Sequence, residues 1–161
     1  MTVETFLKIK DILDKSRVDY KHLIHEHVST SEDAAKIRGT NIEDAAKAII
    51  LKAQTRDGTF YFIQAVIPAH KRIDLKKLKI ILDSKNVALA SPEEVLEKTG
   101  CTIGSVPPFG KLFNISVYLD ESILEKDFIV FSAGTHNDSI QMKAQDYFVV
   151  LDPKVVEFKK E

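Results

Sequence analysis

The sequence predicts an α+β fold, a mixed β-sheet wrapped by helices. Apolar residues recur at helical spacing in some segments and form short strand-like runs in others. The two kinds interleave irregularly, without the strand–helix repeat of a doubly wound parallel sheet. The length, 161 residues, suits one domain over residues 1–161, able to bury about 70% of its unfolded surface.

Val3, Phe6, Leu7, Ile9, Ile12 and Leu13 recur at helical spacing between Lys8, Asp11, Asp14 and Lys15, which predicts an amphipathic helix ending near Arg17. Residues 18–25 read as a strand. Thr30-Ser31-Glu32-Asp33 is a capping pattern, and residues 33–38 before Gly39 read as a short helix with a glycine stop. Two apolar runs, 48–52 and 59–66, flank Arg56-Asp57-Gly58 and predict a hairpin with Lys47 at its open end. Leu75, Leu78, Ile81 and Leu82 share a helix face, with Asp74 at the N-terminus. A brief strand at 87–90 precedes Ser91-Pro92-Glu93-Glu94, a strong helix start that Gly100 closes. Strands are expected at 113–119 and 128–133 around a charged turn, 121–126. Another is expected at 139–143. Residues 144–151 fit helix or strand equally, and 155–158 read as a final extended piece.

Composition removes several classes. No stretch approaches the roughly 18 apolar residues of a membrane span, and Glu4, Lys8 and Lys10 interrupt any secretory core. A cytoplasmic location is therefore expected, and the single Cys101 agrees with a reducing compartment. Cys101 has no local base and reads as a packed thiol. A net charge of −1 argues against a broad electrostatic grip on nucleic acid, so any such contact should be local. Residues 70–85 set six basic side chains against two acidic ones, which suits a solvated helix face or a local phosphate contact.

The apolar run 45–51 carries one charge, Lys47. Burying an amine there costs several kcal/mol unless it opens onto a polar ligand, so Lys47 is either a strand-end lysine reaching water or a fixed cation for an anionic or carbonyl oxygen. Gly104-Ser105-Val106-Pro107-Pro108-Phe109-Gly110 is a stiff loop bracketed by glycines, offering the amides of Gly104, Ser105 and Val106. Ser105 lacks an adjacent histidine and is a weak nucleophile candidate. Gly134, Thr135 and His136 end an apolar segment, where side chains and freed amides often meet ligands. These three places are expected to wall one pocket. His22, His25 and His27 have no cysteine or carboxylate cluster to complete a coordination shell, so no metal and no other cofactor are expected.

In order along the chain stand Glu26-His27, Thr30-Ser31-Glu32-Asp33-Ala34-Ala35, Lys47, Ile73-Asp74-Leu75-Lys76-Lys77-Leu78, residues 104–110, and Ala133-Gly134-Thr135-His136. This ordered set resembles the YbaK/ProX family of free-standing aminoacyl-tRNA deacylases, relatives of the editing insertion of prolyl-tRNA synthetases. The resemblance implies a single YbaK-like domain with a partly barrel-like sheet. It implies hydrolysis in trans of the ester joining a wrongly attached small amino acid to the terminal ribose of tRNA-Pro or a similar tRNA. Lys47 would be the catalytic group. Gly104, Ser105, Val106, Pro107 and Pro108 would shape the pocket, and Gly134, Thr135 and His136 its opposite wall. The implied partners are the aminoacyl-tRNA acceptor end and an aminoacyl-tRNA synthetase. In the alanine-editing subgroup asparagine follows the lysine, and in the cysteine-editing subgroup threonine; Ala48 stands here. A non-catalytic tRNA- or synthetase-binding adaptor is the alternative, and a pocket for free amino acids is a third reading.

Overall fold

The computed structural model describes residues 2–27 and 31–161. Five α-helices and eight strands are found there. They are α1 (Thr2–Lys15), β1 (Tyr20–Ile24), α2 (Ser31–Arg38), β2 (Ala46–Gln54), β3 (Phe60–Pro68), α3 (Leu75–Ile81) and β4 (Asn86–Leu89). After these come α4 (Pro92–Thr99), β5 (Ser116–Asp120), β6 (Phe128–Ser132), β7 (Asp138–Lys143), α5 (Ala144–Leu151) and β8 (Lys154–Val156). The α+β expectation holds. The cap expected at Thr30 lies outside the described residues.

The larger sheet has the order β4-β2-β3-β5-β8, and the smaller β1-β7-β6. The β2–β3 hairpin is antiparallel, with Lys47 opposite Ile67, while β3, β5 and β8 run parallel. The sheets touch through an isolated bridge, Ala45 to Val130. They do not close into a barrel, so the barrel-like expectation is corrected to two linked open sheets.

Side-chain alternation along β2 divides the interior. Ala46 packs with Val66, Leu119, Phe131 and Tyr147 in the main core, which α1 enters through Ile9 and Leu13. Leu51 and Ala53 face the other way, onto Ile63, Ile67, Leu78 of α3 and Phe158. Ile50 meets Val95 of α4, Cys101 and Val106 in a third cluster. A fully buried side chain of this size stabilises by about 1.5–3 kcal/mol.

The local signals explain most element ends. Ser91 and Glu94 form a reciprocal capping box, and Gly100 ends α4 at φ 72°. Asp74 accepts from the amides of Lys76 and Lys77. Asp120, fully buried, accepts from the amides of Phe158 and Lys159 and from Ser122, pinning the C-terminal segment to the end of β5. Two expectations are corrected. Residues 110–113 form a 3₁₀ turn and the strand starts only at Ser116, because Gly110 donates to the buried Gln64 and Asn114 turns left-handed at φ 57°. The charged turn is itself a 3₁₀ helix, Glu121–Glu125. The ambiguous 144–151 segment is helical and is closed by Asp152 at φ 46° just before Pro153.

Candidate active site

Where the two sheets, α2 and the loop before β5 meet, there is a cavity of about 650 Å³. Lys47, Gly104, Val106 and His136 line it, joined by Arg38 and His25. Sequence reasoning thus brings residues from three separate segments to one cavity. The other five candidates stand behind its surface. Ser105 is fully buried; its Oγ donates to the Thr102 carbonyl at 2.8 Å, and its carbonyl accepts from the Gly134 amide at 2.9 Å. The Pro107 carbonyl accepts from Gln64 Nε2 at 2.8 Å and the Pro108 carbonyl from the Tyr147 hydroxyl at 2.6 Å. Thr135 donates to Asp138 at 2.6 Å.

Lys47 is half-buried near the start of β2, on the face of Ile49 and Leu51. Burial first, and then the nearby positive charge of Arg72, lower its pKa. Of the three amides expected to be on offer, that of Ser105 is spent on the Thr102 carbonyl at 3.0 Å. Those of Gly104 and Val106 carry no hydrogen bond among the described residues. Gly104 adopts φ 90°, and a Cβ there would stand 3.3 Å from His136 Cε1, so glycine is needed for both the turn and the close approach. His136 Nε2 pairs with Thr102 Oγ1 at 2.8 Å, and its ring packs 4.3 Å from that of His27. Burial and then His27 hold His136 below the usual imidazole range, which favours the neutral ring at pH 7.

No aspartate or glutamate among the described residues lines the cavity. Among the described residues, no three His, Cys, Asp or Glu side chains gather where a metal could sit. Cys101 is fully buried, and burial pushes its thiol up, as a packed thiol requires. The residues that sequence reasoning missed are Arg38, His25, Thr102 and Ser132. Arg38 looked like an ordinary basic residue at a helix C-terminus; only the tertiary fold turns it inward.

The cavity thus gathers a half-buried amine and two amides without hydrogen-bond partners, with no carboxylate among the described residues. The family model of the aminoacyl-tRNA editing domain matches residues 25–149, and the chain belongs to that family. It is 31% identical over 157 residues to the multifunctional Ser/Thr-tRNA deacylase ProXp-y of Escherichia coli K12, covering 97% of this chain and 93% of that one. A 112-residue stretch is 31% identical to a proline–tRNA ligase of Thermosipho melanesiensis, covering 68% of this chain and 19% of the ligase. A solved structure described as a candidate trans-editing enzyme for prolyl-tRNA synthetase superposes with a TM-score of 0.79 at 22% identity, covering 98% of each chain; that likeness is one of fold. The resemblance to free-standing editing proteins is borne out by these matches.

Proposed function

We propose that this chain hydrolyses, in trans, the ester between a wrongly attached small amino acid and the terminal ribose of a tRNA. The observation that carries this reading is the half-buried Lys47 amine sharing one cavity with the free amides of Gly104 and Val106. Water attacks the ester carbonyl; the carbonyl oxygen takes up negative charge, and collapse expels the ribose oxygen with a proton, releasing free amino acid and tRNA. Lys47 and the two amides are placed to hold that developing oxyanion, an interaction stronger in the transition state than in the ground state. Neither Ser105 Oγ, which is hydrogen-bonded, nor the buried Cys101 thiol reaches the cavity surface, which favours water as nucleophile. The neighbouring ribose hydroxyl of the substrate assists it.

The cavity wall carries the hydroxyls of Thr102 and Ser132, which suits a small amino acid, including one with its own hydroxyl. This agrees with the Ser/Thr specificity named for the relative from Escherichia coli. The acceptor end of an aminoacyl-tRNA is the partner, with a prolyl-tRNA synthetase as a candidate source of tRNA. No described helix is long and apolar enough to cross a membrane.

The test is deacylation of a panel of mischarged tRNAs by the purified protein. Lys47→Ala should lower kcat/KM by roughly 10²–10³, the usual loss on removing an oxyanion donor. Unchanged turnover in Lys47→Ala would remove the lysine from the mechanism. A wild type inert on every member, yet binding tRNA, would favour the adaptor instead.

A further inference from the structure

Arg38 ends α2, and its side chain lines the cavity. Its Nε donates to Ser139 Oγ at 2.8 Å, and one Nη reaches Ser132 Oγ at 3.5 Å. Ser139 Oγ also bonds His25 Nε2 at 2.7 Å, and His25 Nδ1 lies 2.8 Å from the Glu26 carbonyl. A carbonyl only accepts, so His25 Nδ1 carries hydrogen, and in the neutral ring Nε2 accepts a hydrogen bond from the Ser139 hydroxyl. The Ser139 oxygen is then left to accept from Arg38, and the relay fixes the plane of the guanidinium.

Of the five N–H groups of a guanidinium, this arrangement uses at most two. The remaining donors meet no acceptor among the described residues, and Arg38 has no ion pair there. Burial pushes its pKa down to about 10, so it stays charged at neutral pH. A half-buried cation without a counter-charge is costly, and among the described residues no carboxylate lines the cavity to supply one. The missing negative charge is brought by the ligand, and the planar fork suits an oxyanion that accepts two parallel hydrogen bonds.

An aminoacyl ester has no free carboxylate on its amino acid. Its nearest negative charge is the phosphate on the 5′ oxygen of the esterified nucleoside. A cavity of about 650 Å³ falls within the range that accepts a ligand well beyond one small side chain. We propose that Arg38 is a phosphate-recognition residue, gripping with its free edge the phosphodiester next to the aminoacylated nucleoside. The identity of that phosphate rests on the deacylase reading; the vacancy on Arg38 does not.

The test is an NMR chemical-shift titration with AMP, adenosine and free serine, on wild type, Arg38→Gln and Arg38→Lys. AMP should bind wild type about tenfold tighter than adenosine, a margin typical of one charge-assisted pair. Arg38→Gln should erase that margin, and Arg38→Lys should keep part of it. Equal binding of AMP and adenosine by the wild type, no AMP binding, or a margin that survives Arg38→Gln overturns the proposal. So does Arg38-dependent binding of serine alone, which would assign the site to a carboxylate. If Arg38→Gln fails to fold, the wild-type comparison and Arg38→Lys still decide. No ester is cleaved here, so a wild type without deacylase activity would count against the proposed reaction and leave this result standing.

Discussion

At the scale of single residues, the proposed mechanism rests on which protonation state Lys47 holds. Its ammonium form is the one that stabilises an oxyanion, so activity is present below the Lys47 pKa and lost as pH rises through it. Burial and Arg72 both lower that pKa, so the alkaline loss should begin earlier than for an ordinary lysine, which titrates near about 10.4. Arg72→Gln removes the second cause. The alkaline limb of kcat, measured after subtracting spontaneous ester hydrolysis, should therefore move upward in that variant. A limb that stays put or moves down rejects Arg72 as a tuner of Lys47.

At the scale of elements, the loop 104–110 is held from behind. Gln64 on β3, fully buried, donates to the Pro107 carbonyl and accepts from the Gly110 amide at 2.9 Å. Tyr147 on α5 donates to the Pro108 carbonyl. Gln64→Ala leaves a buried donor and acceptor unpaired and opens a small cavity, so it should cost about 2–4 kcal/mol. Tyr147→Phe, which strands one carbonyl, should cost about 1–2 kcal/mol. Urea unfolding reads both, and a Gln64→Ala loss below that of Tyr147→Phe would reject the clamp. The stiffness of this loop was legible in its prolines and glycines, as were the β2–β3 hairpin and both ends of α4. Its clamp was not. Gln64 reads as one polar residue in an apolar strand, and its partners lie 43 and 46 positions away. For the same reason the hydrogen bonds that hold Ser105, Pro107 and Pro108 from behind are not visible in the sequence. Arg38 escaped notice because spacing along a helix cannot show that its last side chain turns into a cleft.

At the scale of the whole molecule, charge is divided in a way that the net value of −1 conceals. Several lysines are spent internally: Lys77 pairs with Glu157 at 2.8 Å, Lys52 with Glu94 at 2.8 Å, and Lys159 lies 4.0 Å from Asp120. Around the open end of the hairpin cations instead outnumber carboxylates, with Glu43 opposing them at His70. His70 is held down by burial and then by Lys71 and Lys126, with Lys47 contributing, and Arg72 acts on Lys47 itself. Only a few charges are thus placed to meet phosphates, and Lys47, which lines the cavity, is among them. Neutralising two or three phosphates of a single-stranded end gives a salt dependence of about −0.7 per phosphate in log–log form. Binding of uncharged tRNA, followed from low to physiological salt, should therefore show a slope of about −1 to −2. A slope steeper than about −4 would mean that a broad face of the protein grips the nucleic acid, and the picture of a local reader of the acceptor end would have to be given up.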